Sequence, residues 1–181
     1  MKKVNTKSLT YAAALLAICI ISQIFKNMSV YITGPIINAC LIICVLTAGL
    51  WAAIAISVIT PITSFFITGS PIIAAIPLIM PCIMIGNILL VVAVYFLKDK
   101  PNRKIGFTIS IVIGAILKGL FMGIVIALII IPALLPEAML PKINVFQTTF
   151  SITQFITALI GGALAYIINI PLSKFLKNED V

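Results

Sequence analysis

The chain has 181 residues, 62% of them hydrophobic and 9% charged, with a mean hydropathy of +1.30. Soluble globular chains are about 25% charged, so a water-soluble domain is excluded and an integral membrane protein remains. The net charge of +8 does not make a nucleic-acid surface: the basic residues stand at the ends of apolar runs, where they set orientation across a bilayer.

Those residues form three clusters: Lys2, Lys3 and Lys7; Lys98, Lys100, Arg103 and Lys104; Lys174 and Lys177. Cytoplasmic loops carry such an excess of Lys and Arg. With all three clusters cytoplasmic, an even number of crossings separates each pair. There is room for four crossings between the first two clusters and two between the last two. The sequence thus predicts an all-α, single-domain integral membrane bundle of six transmembrane helices, residues 1–181, with N and C termini cytoplasmic.

The first predicted helix covers 9–25. Its basic start and apolar run mimic a secretory signal, but no small-x-small cleavage pattern closes it and further apolar runs follow, so it reads as retained. Lys26, Asn27 and Ser29 then mark an external loop that continues through Thr33, Gly34 and Pro35. Helices two and three cover 36–50 and 51–66, joined without any charge near Gly49, the expected breaker, with Trp51 as an interfacial anchor. One broken helix could imitate this pair; parity argues for two crossings. Residues 67–77 read as an external loop or re-entrant piece, because Gly69, Pro71, Pro77 and Pro81 interrupt any helix. The fourth helix covers 81–97, the fifth 105–132 and the sixth 150–172, with an external stretch from Ala133 to Val145 between the last two.

The fifth helix carries the one anomaly. Lys118 lies about 20 Å along it from Ile105, with apolar or small residues on either side. A lysine at mid-membrane costs roughly 2.5–3.5 kcal/mol and normally faces the protein interior or a wet cavity. The four acids, Asp99, Glu137, Glu179 and Asp180, all fall in loops or tails, and snorkelling from mid-bilayer does not reach either surface. Two readings remain: a counter-charge for an anionic ligand, or a lysine that is neutral without one.

Gln23, Asn38, Thr60, Ser64, Asn87, Thr153, Gln154 and Asn169 are the other polar residues within the predicted spans. Asn87 stands about 15 Å from the cytoplasmic end of its helix and Gln154 about 27 Å from that end of the last. Gln23 and Asn38 fall near the external ends of theirs. Apart from Asn169 the set lies at mid-depth or outward. A pocket open to the outside, floored by Asn87 and Lys118 and walled by Gln154, accounts for it, with Asn38 and Gln23 as further ligand-binding candidates. Interhelical hydrogen bonding, worth about 0.6 kcal/mol on average in membranes, is the plainer account of Asn87 and Gln154.

Small residues recur at packing spacing: Ala13 and Ala17 on the first helix, Gly119 and Gly123 on the fifth, Gly161 and Gly162 on the sixth. The glycines suit helix packing within the chain; the alanines could do the same or offer a flat face to another protein.

Several chemistries have no residues to carry them. The chain has no His and no acid within the predicted spans, which removes paired-acid catalysis, His-assisted nucleophiles and the usual carboxylate or His of a proton-coupled carrier. Cys19, Cys40, Cys44 and Cys82 lie in apolar runs without CxxC spacing, which suits small buried thiols rather than zinc. Neither GxxxxGK[ST] nor GxGxxG occurs. No catalytic residue, metal or cofactor is expected, and the chain reads as a binding protein that borrows energy from partners, not as an enzyme.

The size, the six-helix plan, Ala13-xxx-Ala17, the run Thr33–Phe65 (TGPIINACLIICVLTAGLWAAIAISVITPITSF), the segment Ile76–Leu90 (IPLIMPCIMIGNILL) and the ending Gln154–Ala165 (QFITALIGGALA) together give a resemblance over nearly the whole length. The chain resembles the substrate-binding (S) component of an energy-coupling factor (ECF) transporter. That resemblance implies a prokaryotic plasma-membrane protein that binds a vitamin or micronutrient from outside with its last three helices and external loops. It implies docking through Ala13 and Ala17 to a transmembrane coupling (T) protein driven by two cytoplasmic ATPases, and toppling in the bilayer to release the nutrient. Asn87, Lys118 and Gln154 fall on the helices where the family binds its ligand. No signature of the thiamine, riboflavin, biotin or folate subfamilies is present, and the single Trp51, at a cytoplasmic boundary, argues against an aromatic sandwich for a flavin. The expected ligand is a small anionic or polar nutrient, a carboxylate such as pantothenate or niacin being of the right kind, with the loops 67–77 and 133–145 closing over it. A stand-alone small-solute facilitator or channel, and a structural membrane subunit without a ligand, are the alternatives.

Overall fold

The computed structural model of the chain describes residues 6–25, 29–100 and 102–179, the backbone alone at 103, 104 and 174–179. Lys2, Lys3, Lys26, Asn27 and Asp180 lie outside the described residues, as do the side chains of Arg103, Lys104, Lys174, Lys177 and Glu179. Six helices are long and apolar enough to cross a membrane, and no strand occurs among the described residues.

Local chemistry sets the ends of these helices. Helix α1 is Thr6–Ile24 and α2 is Val30–Thr47, which begins where the Ser29 side chain accepts from the Tyr31 N–H. The sequence expectation placed this start at Ile36, because Gly34 and Pro35 read as a loop. Pro35 instead sits inside α2, where it removes only the hydrogen bond to the Tyr31 carbonyl, close to the helix start. Helix α3 (Leu50–Thr68) follows directly. The turn between them is made by Gly49 at φ +89°, a backbone region that a side chain disfavours. The uncharged junction is therefore a true reversal between two crossings.

Helix α3 ends at Gly69 in the left-handed conformation, φ +57°, the usual helix stop. The predicted loop 67–77 contains a short helix, α4 (Pro71–Ala75). Its Ile72 and Ile73, with Ile76 beyond it, are buried in an apolar cluster with Met122, Ile126 and Phe150, so this segment turns back into the bundle. Helix α5 is Ile79–Leu97, and α6 (Arg103–Met122) starts where the Asn102 side chain accepts from the Ile105 N–H.

Beyond Met122 the same span continues as a π-helical stretch, Gly123–Ile130, and a final turn, α7 (Ile131–Leu134). The wider turns shift the carbonyls out of the α-helical pattern, and the Gln147 side chain donates to the Ala127 carbonyl at 3.0 Å. The predicted open stretch 133–145 is partly helical: a 3-10 turn at Glu137–Lys142 leads into α8 (Ile143–Phe150). Helix α9 (Ile152–Glu179) follows a break at Ser151, φ −116° and ψ −96°. The expected sixth helix, 150–172, corresponds to α9, while α8 is an additional short helix before it, lying over the end of the bundle that carries α4.

Helix α2 is central and packs against α1, α3, α5 and α9; its Leu41, Ile42 and Cys44 are fully buried. The glycines allow these approaches. A methyl group at Gly119 would lie 2.8 Å from Phe155 Cβ on α9, and one at Gly161 would lie 2.6 Å from Asn38 Cβ on α2. The small residues of α6 and α9 therefore serve contacts within the chain. All four cysteines are free and buried.

Candidate functional site

Lys118 is 3% exposed, and its ammonium donates to Asn38 Oδ1 at 2.6 Å and to Asn87 Oδ1 at 2.8 Å. Three helices meet at this point: α2 brings Asn38, α5 brings Asn87 and α6 brings Lys118. Asn38 and Asn87 each stand eight residues into their helices from the same end of the bundle, about 12 Å of rise. Lys118 reaches the same depth from the opposite end, about 22 Å from Arg103. This corrects the expectation that Asn38 lies near the external end of its helix; the earlier start of α2 carries it to mid-depth.

The arrangement stabilises a positive charge without cancelling it. Both Asn side chains turn their oxygens to the ammonium, and charge-assisted hydrogen bonds of this kind are about twice as strong as neutral ones. Neither partner is ionised. Neither of the acids whose side chains are described, Asp99 and Glu137, makes an ion pair with Lys118; Asp99 pairs with Lys98 at 3.4 Å. Asn87 also approaches the Ser57 carbonyl through its Nδ2, at 3.5 Å.

The three residues open onto a cavity of about 380 Å³. Thr60 and Ser64 of α3 and Gln154 of α9 line it beside them. So do Ile72 and Ile73 of α4 and Phe146, Thr149 and Phe150 of α8. Gln154 is half-buried and donates through Nε2 to the Thr149 carbonyl at 3.0 Å, across the break at Ser151, which ties the first turn of α9 to α8. The structure thus brings Lys118, Asn87, Asn38 and Gln154 around one space.

Gln23 is not among the lining residues. It is fully buried where α1 meets α3 and donates to the Thr60 carbonyl at 3.0 Å, while its Oε1 has no partner among the described residues. Its hydrogen bond reaches the backbone of Thr60, which lines the cavity.

The α8 contribution was absent from the sequence reading. Phe146 and Phe150 stand four apart, a helical signal, but the expected external stretch ended at Val145 and the expected sixth helix began at Phe150, so 146–149 were assigned to neither.

On the outside of α1, Leu9, Ala13, Ala17 and Ile21 form an exposed row at four-residue spacing, while Cys19, Ser22 and Gln23 face inward. The row is apolar, and its middle is flat because two alanines occupy it.

No curated protein matches the chain, and no solved structure does. The family model described as the substrate-specific component of ECF transporters matches residues 7–173. That match covers the six spans up to Ser173 and every residue around the cavity, so the chain belongs to the family of ECF transporter substrate-specific components.

Proposed function

We propose that this membrane subunit captures a small anionic or polar nutrient in the cavity at Lys118 and hands it to an ATP-driven import complex. One observation carries the reading: a buried ammonium held by two neutral amide oxygens, in a cavity lined by no acid among the described residues. Burial makes an uncompensated charge expensive, and an anionic group entering the cavity removes that cost while gaining the attraction of a low-dielectric site. Lys118 supplies the counter-charge. Asn38 and Asn87 hold the ammonium in place, and Gln154 orients the ligand from α9. Gln23 braces α3 behind Thr60 rather than touching the ligand.

The cavity lies at the end of the bundle that carries α4 and α8, away from the basic loop 98–104. With that loop cytoplasmic, the ligand enters from outside the cell, both termini lie inside, and α4 and α8 close over the bound molecule. The family is one of substrate-specific transporter components, and that is what supports reading the subunit as a binding protein rather than an enzyme. A vitamin or precursor of the size and charge of pantothenate or niacin fits this reading.

The exposed row on α1 suits the coupling protein. A lipid-facing helix needs no such flat stripe, and small residues let a partner helix approach closely. Through Ala13 and Ala17 the subunit docks on the transmembrane coupling protein, itself driven by two ATPases, in a prokaryotic plasma membrane.

The test is a thermal-shift screen of purified protein against vitamins and their precursors, repeated with Lys118→Met. A hit that stabilises the wild-type protein and not the variant is expected. Equal stabilisation of both would remove Lys118 from the site. Solute flux through liposomes holding this chain alone would replace the importer reading with that of a facilitator.

A further inference from the structure

The charge inventory of the cavity limits what kind of anion it accepts. Lys118 is the one charged residue lining the cavity among the described residues; no Arg and no second Lys stands beside it. An ammonium has three N–H donors. Two are given to Asn38 Oδ1 and Asn87 Oδ1, which leaves one for a ligand. Both amides turn their oxygens to Nζ, so their NH₂ groups point elsewhere, and the bond from Asn87 Nδ2 to Ser57 is stretched to 3.5 Å. The polar end therefore offers one charged donor among neutral side chains. That set matches a head group with a single negative charge.

The other end has different chemistry. Ile72 and Ile73 of α4 and Phe146 and Phe150 of α8 line it, with the neutral side chains of Thr68, Ser70 and Thr149 beside them. Ile72, Ile73 and Phe150 belong to one buried apolar cluster with Met122 and Ile126. A second charge on the ligand would face these side chains with no cation near it, and a buried unpaired charge is among the costliest arrangements in a protein. The volume, about 380 Å³, is at the small end of the roughly 300–1,000 Å³ typical of small-molecule sites.

We propose that the ligand is an amphipathic monoanion: a single carboxylate-like head at Lys118 and an apolar or aromatic body beneath α4 and α8. Phosphate monoesters and dicarboxylates are rejected for their second charge. This assignment rests on the functional reading above and narrows it from anionic or polar solutes to one charge type with one orientation.

Four probes sharing one aryl-ethyl body test it: 3-phenylpropionate, its amide, 2-phenylethylphosphonate and phenylsuccinate. Each is titrated against the purified protein in nanodiscs, at a pH where the phosphonate and the succinate both carry two charges. The expected result is that 3-phenylpropionate binds at least about tenfold more tightly than each of the other three, and that Lys118→Met abolishes the preference. If the phosphonate or phenylsuccinate binds as tightly as the monoacid, the single-charge assignment falls while the anion site at Lys118 stands. If the amide binds as tightly as the acid, the anion site itself falls, and the narrower assignment with it. If none of the four binds while a vitamin does, the apolar-body assignment is wrong. The ranking within the wild-type protein decides these cases even if Lys118→Met fails to fold.

Discussion

Replacing Lys118 by Met should separate stability from binding. In the ligand-free protein the ammonium makes two hydrogen bonds, at 2.6 and 2.8 Å, each worth roughly 1.5–3 kcal/mol when one partner is charged. Against them stands a mid-membrane burial cost of about 2.5–3.5 kcal/mol. The opposing contributions partly offset one another, so Lys118→Met should lower the ligand-free stability by no more than about 3.5 kcal/mol. The methionine fills nearly the same volume, and Asn38 and Asn87 keep access to the cavity. Binding has no such compensation. Loss of one charge-assisted bond to the ligand, again roughly 1.5–3 kcal/mol, weakens the dissociation constant by about 10- to 150-fold. Thermal unfolding without ligand and calorimetric titration with the best compound of the vitamin screen measure the two quantities separately. A variant that unfolds like wild type and binds with unchanged affinity would refute the assignment of Lys118 as counter-charge.

Asn87→Asp places a carboxylate where an amide oxygen lies 2.8 Å from the ammonium; this internal partner should weaken anion binding by at least about tenfold and leave the protein folded, both read by titration and melting. Gly161→Leu intrudes on Asn38, since even a methyl there would lie 2.6 Å from its Cβ. Overpacking costs about 1–3 kcal/mol, so a lower melting temperature together with weaker binding is expected, whereas Gly123→Ala, where the nearest atom is at 3.4 Å, should change little. Substituting Ala13 and Ala17 with Trp should leave ligand binding intact and abolish uptake and co-purification with the coupling protein; intact uptake would move the docking surface elsewhere. Gln147→Leu removes the bond to the Ala127 carbonyl and should speed ligand dissociation by loosening α8, as measured by stopped-flow release.

Composition and the spacing of basic clusters were enough to determine a six-span helical membrane protein, because a bilayer leaves helices with few alternatives for satisfying their backbones. The same hydrophobic count singled out Lys118, since a charge in the middle of an apolar run stands out in one dimension. Gly49 was readable as the reversal between two spans for an equally local reason, its freedom at positive φ. Local signals failed where proline was involved. Pro35 read as loop, yet it sits within α2, because packing and capping outweigh propensity there. Tertiary structure alone decided that Asn38, eighty positions from Lys118 in sequence, accepts from its ammonium, and that Gln23, equally polar, stays outside the cavity. Depth within a span can be counted along a chain. The direction in which each helix turns its polar side chain depends on how neighbouring helices pack, and that information resides in contacts between distant segments.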